Sequence, residues 1–242
     1  MNLDTVIQVG FLGNYINEHS AENPSLFFTL FVLGFVFVAI AAYLLGSLNF
    51  AIIISGRAYK QDIRQYGSKN AGMTNMMRTY GKKAAALTLL GDALKAILAG
   101  IVGYAVLGER AASVAGVACV VGHMFPIFFK FKGGKGVVTT AAAVLMTNPF
   151  VFLILLILFV IIVLGTRYIS VGSVMCMLIY PFLLSAVDTA ITGGCDIFAL
   201  MSAMLIMALV IYKHKDNIKR LRQGKENKFS FKKSVKAEDI NK

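Results

Sequence analysis

Long apolar runs separated by short polar breaks organise this chain. The first, Leu26 to Ser55, would be about 45 Å long as one helix at 1.5 Å per residue, more than the roughly 30 Å hydrocarbon core of a bilayer. It must therefore tilt or break, and Gly46-Ser47 is the expected place, with the amphipathic end of the run lying in the interface. A polar loop, Arg57 to Lys83, follows. Ala84–Leu107 and Ala111–Phe129 then read as two crossings joined by a tight turn at Gly108-Glu109-Arg110. Val137 to Gly165 has the length of one long span but carries Asn148-Pro149 in its middle. A residue before proline is pushed out of helical geometry, so the pattern predicts a hairpin of two short helices. Its limbs fit either a full crossing or a re-entrant pair buried in protein. Ile169–Val187 and Ile197–Tyr212 complete the set.

Composition narrows this to one class. With 57% hydrophobic and 15% charged residues among 242, the chain is an all-α, polytopic integral membrane protein of about seven transmembrane helices, without room for a large extramembrane domain. The net charge of +12 is segregated: no Lys or Arg precedes residue 26, seven lie between 57 and 83, and eleven between 213 and 242. Loops rich in Lys and Arg stay cytosolic. The expected division is an extracytoplasmic N-terminal extension (1–25), a transmembrane domain (26–212) and a basic cytosolic tail (213–242), which places the N-terminus outside and the C-terminus in the cytosol. The distribution speaks for membrane orientation and against nucleic acid as a partner. Cys119, Cys176 and Cys195 have no paired spacing, and no His, Cys or carboxylate cluster suggests a metal, so no metal or cofactor is implied.

The unusual polar residues collect in three cytosolic segments. Tyr66 to Asn75 is dense in small hydroxyl, amide and glycine residues, with Arg78, Lys82 and Lys83 behind it. Such a loop either turns its amides and side chains toward an anion or is a solvated loop with Asx turns. Phe131-Lys-Gly-Gly-Lys-Gly136 precedes a helix and suits a phosphate held at a helix N-terminus, or a basic loop against lipid headgroups. It is not a Walker A loop, since Lys135 is followed by Gly136 and not by Ser or Thr. In the third segment, His214 and Asn217 share a helix face among lysines where the last span leaves the membrane. Two intramembrane features add to these. Asp92 and Lys95 sit at i and i+3, either a functional pair or an ion pair that orients its helix, and His123 either caps carbonyls freed by Pro126 or faces a site. A transporter of organic phosphates and a lipid-binding scaffold are the competing functional classes.

Gly46-Ser47, Gly67 to Asn75 with Arg78, Gly81-Lys82-Lys83, Asp92 with Lys95, Gly122 to Pro126, Phe131 to Gly136 and His214 to Leu221 together closely resemble the bacterial acyl-phosphate:glycerol-3-phosphate acyltransferases, the PlsY family. The resemblance covers the chain beyond its first twenty-five residues. It departs at Lys69 and Met73, where the family usually has Gly and Ala, and in a longer N-terminal extension. It implies a multi-pass enzyme of the bacterial cell membrane with its active site facing the cytosol. That enzyme moves a fatty acyl group from acyl phosphate to the 1-hydroxyl of glycerol 3-phosphate, giving lysophosphatidic acid and inorganic phosphate for phospholipid biosynthesis. Ser68, Asn70 and His214 are then the expected catalytic residues. Thr74, Asn75, Arg78, Asp92, Lys95, His123, Lys132, Gly133, Gly134, Lys135, Gly136 and Asn217 are the expected substrate-binding residues. The base is either His214 or a phosphate oxygen of the donor. The partners are the two substrates and membrane lipids.

Overall fold

The computed structural model describes residues 3–19, 21 and 23–229, and among these every regular element is helical. The predicted break in the first run is present. Helix α2 (Pro24–Gly46) ends where expected, and α3 (Phe50–Tyr59) restarts after three residues, capped by the Asn49 side chain, which accepts from the Ile52 amide at 3.1 Å. The Leu48 carbonyl left over at the break accepts a hydrogen bond from Lys95 Nζ at 2.9 Å, which is what makes the break tolerable at depth. A short polar helix, α4 (Met73–Tyr80), leads into α5 (Lys82–Met124).

Helix α5 is two limbs and not one rod. Leu107 and Gly108 leave helical geometry, Gly108 at φ 70°, so the chain reverses at the predicted turn. The limbs press together because their facing residues are small: a Cβ on Gly103 would stand 2.6 Å from Ala112 Cα. Helix α2 packs on this hairpin through Gly34, Val38, Ala42 and Gly46, a ridge spaced by four residues. Gly46 rests on the Cys119 carbonyl and Gly122 on that of Tyr43, each so close that a Cβ would lie 2.2 Å away. In a bilayer, where lipid is as apolar as leucine, such close backbone approach is what holds helices together.

The Asn148-Pro149 hairpin is also present, as α6 (Val137–Thr147) and α7 (Pro149–Thr166), and α8 (Ile169–Thr192), α9 (Ile197–Lys213) and the short α10 (Lys215–Arg222) complete the fold. Among the described residues four helices are long and apolar enough to cross a membrane, or five when α9 and α10, bent by 53°, are counted as one span. At one end of the bundle Asn148 donates to Asp188 at 2.7 Å, and Arg110 pairs with Asp196 at 3.0 Å. The N-terminal extension, for which the apolar pattern predicts no span, forms α1 (Leu3–His19). It breaks at Gly10, which lies so close to the Val106–Leu107 backbone that a Cβ would be 2.5 Å away.

Candidate active site

A cavity of about 860 Å³ opens between α4, both limbs of α5, α6, α8 and the start of α10. Ser68, Asn70, Thr74, Asn75, Arg78, Asp92, His123, Lys135, Gly136, His214 and Asn217 all line it, drawn from the three basic segments and α5. Its other wall is apolar, with Leu89, Ala93 and Ile97 of α5 facing Val138, Ala142 and Leu145 of α6, and Phe152 to Val163 of α7 beyond them.

The first loop is built around Asn75, which is 1% exposed. Its amide donates to the Ile63 and Tyr66 carbonyls and its carbonyl accepts from the Ser68 amide at 2.8 Å, so a single side chain closes the turn. Gly67, at φ 56°, lies where a Cβ would collide with that Asn75 oxygen at 2.3 Å. Lys69 also takes a left-handed conformation, φ 59°. That accounts for the glycine usual at this place in the family the sequence resembles.

The second loop differs from the sequence expectation. The Gly133 amide donates to the Met124 carbonyl and the Gly134 amide to that of His123, so neither is free to cradle an anion. The glycines are there for contact: a Cβ would lie 2.0 Å from the His123 carbonyl at 133, and 2.2 Å from His123 Nε2 at 134. Lys132 is exposed and stands outside the cavity lining, and its carbonyl accepts from Arg64, which also holds the Phe129 carbonyl and so ties the first basic loop to the second. Lys95 does not reach the cavity either, because its ammonium is taken up by Asp92, Leu48 and His123. Of the segment's two lysines, Lys135 is the one that lines the cavity. It points into the cavity and donates to Asn217 Oδ1. Burial, reinforced by Arg220, lowers its ammonium to about 8.

His214 is 2% exposed and sits just past α9, with Nδ1 2.8 Å from the Val210 carbonyl. A carbonyl only accepts, so Nδ1 carries the proton and Nε2 is left as the acceptor. Burial first, and then the Lys135 charge, push the imidazole down to about 4, so it is neutral near pH 7. Four polar lining residues were not foreseen, Ser170, Ser173, Glu226 and Asn227, and Arg220 of the third basic segment lines the cavity as well. Glu226 accepts from Asn217 at 2.6 Å, Ser170 at 2.9 Å and Arg220 at 2.8 Å. Burial alone would raise its carboxyl, but these hydrogen bonds outweigh that and hold it below the usual range. A glutamate set between Lys225 and Lys228 in so basic a tail was the available signal.

Residues 36–224 match the glycerol-3-phosphate acyltransferase family. The chain belongs to that family. It is 42% identical over 198 residues to the glycerol-3-phosphate acyltransferase of Alkaliphilus metalliredigens, covering 82% of this chain and 97% of that one. With the Finegoldia magna enzyme it shares 40% identity, over 80% of this chain and 95% of the relative. Crystal structures of PlsY, an integral membrane glycerol 3-phosphate acyltransferase, superimpose with TM-scores of 0.74 (glycerol 3-phosphate form, 36% identity) and 0.72 (lysophosphatidic acid form, 35%). Each match covers 81% of this chain and 96% of the crystallised one. The protein is thus an integral membrane glycerol-3-phosphate acyltransferase, and the whole of α1 together with Glu226 lies outside the residues matched to the family.

Proposed function

We propose that this acyltransferase uses acyl phosphate as its donor, acylates the 1-hydroxyl of glycerol 3-phosphate, and releases lysophosphatidic acid and inorganic phosphate at the cytosolic face of the bacterial cell membrane. The observation that carries the reading is the junction inside one cavity of a cationic wall, Lys135 with Arg78 and Arg220, and an apolar groove between α5 and α6. Two phosphate-bearing substrates, one with a long hydrocarbon tail, match that junction in charge and polarity. The solved glycerol 3-phosphate and lysophosphatidic acid forms of PlsY support the acceptor and product.

In this mechanism Lys135, Arg78 and Arg220 offset the charge of two anions held side by side, with Ser68, Asn70 and Thr74 on the polar groups beside them. The neutral His214 accepts from a glycerol hydroxyl through Nε2, and Asn217, fixed by Lys135 and Glu226, orients the phosphate. An imidazole held near 4 is a weak base. The hydroxyl proton therefore passes to an oxygen of the departing phosphate as the hydroxyl attacks the acyl carbon. The chain crosses the membrane seven times in this reading, through α2, the two limbs of α5, and α6 to α9, with residues 1–25 outside and 213–242 in the cytosol.

The test is an acyl-transfer assay on purified protein, offering acyl phosphate, acyl-CoA and acyl carrier protein in parallel, and lysophosphatidate from acyl phosphate alone is expected. Labelled acyl phosphate without acceptor should leave no label on denatured protein. Label mapping to Ser68 would replace direct attack by a covalent intermediate.

A further inference from the structure

Asp92, Lys95 and His123 form a buried cluster that the mechanism above does not use, although Asp92 and His123 line its cavity. The Lys95 ammonium has three hydrogens and no lone pair. Three acceptors surround it: Asp92 Oδ1 at 2.8 Å, the Leu48 carbonyl at 2.9 Å and His123 Nδ1 at 2.9 Å. With every ammonium hydrogen so engaged, His123 Nδ1 must offer its lone pair, and the ring proton sits on Nε2. That nitrogen has no hydrogen-bond partner among the described residues; Gly134 packs beside it so closely that a Cβ would collide with it at 2.2 Å, and His123 lines the cavity. His214 is arranged in the opposite sense, with its proton on Nδ1 and a lone pair on Nε2. The cavity therefore holds one imidazole built to accept and one built to donate.

We propose that His123 is a catalytic residue: its Nε2–H donates a hydrogen bond to the carbonyl oxygen of the acyl donor as that oxygen gains negative charge. The inference rests on the acyl-transfer reading given above. A carbonyl fits better than a phosphate for two reasons. Asp92 and Lys95 cancel, so the cluster offers a dipole and no net charge, and Asp92 Oδ1, 3.4 Å from the ring, opposes a dianion. The position agrees as well. His123 abuts Gly134, next to Lys135, while Asp92 lies on α5 between Leu89 and Ala93 of the apolar groove. This is the boundary where an acyl carbon must sit if its phosphate is at Lys135 and its chain is in the groove. The glycerol oxygen bonds to that carbon, and the carbon–oxygen bond to phosphate breaks with its electron pair. The hydroxyl proton ends on the phosphate, and His123 keeps its own proton throughout. A preorganised donor costs no reorganisation when charge develops.

The test joins kinetics to a direct reading of the ring. His123→Leu should lower kcat by about 100- to 1000-fold, the usual loss for an oxyanion donor, while KM for glycerol 3-phosphate stays within about threefold. His123→Gln places an amide near Nε2 and should recover most of that loss. A kcat for His123→Leu within about threefold of the parent, or equal losses in Leu and Gln variants, would overturn the assignment. The chain has three histidines, so 15N-histidine spectra of the parent protein resolve them even where a variant fails to fold. Expected are a bare Nδ1 and a protonated Nε2 at His123, the latter shifting when a non-hydrolysable acyl phosphonate is added; a protonated Nδ1 or an unmoved Nε2 refutes the proposal. Should the parent refuse acyl phosphate, the donor reading fails by itself. The Leu-to-Gln comparison is then made with whichever acyl donor is accepted, since all carry the carbonyl.

Discussion

Lys135 concentrates the electrostatics of the cavity, because burial and two neighbouring arginines already press its charge while no carboxylate touches its ammonium. An incoming phosphate relieves that pressure. Lys135→Ala removes a charge-assisted hydrogen bond worth roughly 1.5–3 kcal/mol, so kcat/KM should fall about tenfold or more, whereas Ala at the exposed Lys83 should change little. The free ammonium titrates at about 8 and a bound anion raises that value. Affinity for the phosphate substrate is therefore complete below about pH 8 and declines above it, by up to about tenfold per pH unit. Lys135→Arg, whose charge does not titrate in this range, should flatten the profile of KM against pH. Lys69 makes the opposite kind of case. A non-glycine residue at φ 59° costs about 1–2 kcal/mol, more than the roughly 0.5–1 kcal/mol of added chain entropy that glycine brings. Lys69→Gly should raise the thermal midpoint, and a lower midpoint would show that the Lys69 side chain has a compensating partner. The polar loops were legible as candidate site segments because lysine, amide and glycine cluster there, and residues of all three line one cavity. The division of labour was not, since spacing cannot show that Gly133 and Gly134 serve His123 while Lys135 and Gly136 reach the cavity.

At the scale of elements, apolar run lengths and the Gly, Asn and Pro that interrupt them were sufficient to place the break after Gly46, the turn at Gly108 and the hairpin at Asn148-Pro149. Helix α1 escaped because its residues carry no span-length apolar run, and its docking against the turn of α5 depends on tertiary contact with Leu107. The ridge of small residues on α2 could be seen only once its partner was known. It makes a sharp forecast. Gly46→Ala sets a Cβ 2.2 Å from the Cys119 carbonyl, a backbone atom that cannot swing aside, and should cost about 1–3 kcal/mol as overpacking does. Gly56→Ala, inside α3 with nothing within 4 Å, should instead gain the roughly 0.5–1 kcal/mol that alanine enjoys over glycine in a helix. Unfolding midpoints in detergent that moved together for both would mean that helix propensity, and not the α2–α5 contact, governs.

For the molecule as a whole, the two ends of the bundle differ in charge in a way that one membrane orientation satisfies. Arg110–Asp196 and Asn148–Asp188 mark one end, near the α5 turn on which α1 rests. Lys135, Arg78, Arg220 and the Arg167–Phe229 contact mark the other, where the cavity lies. Cationic loops are retained in the cytosol, so the cavity should open there, toward a soluble phosphate-bearing acceptor. This follows from charge placement and is independent of the chemistry assigned to the cavity. Single cysteines can decide it, starting from a Cys195→Ser background, because Cys119 and Cys176 are buried. Introduced at the exposed positions Asn17 and Gly194, they should react in intact cells with a membrane-impermeant maleimide, while those at exposed Lys69 and Lys225 should react only after the membrane is permeabilised. Labelling of Lys69→Cys from outside would invert the protein and place its anion site where cytosolic glycerol 3-phosphate cannot reach it. Labelling of Gly194→Cys but not of Asn17→Cys would keep the cavity in the cytosol and remove the N-terminal helix from the outer face, leaving an even number of crossings between the two.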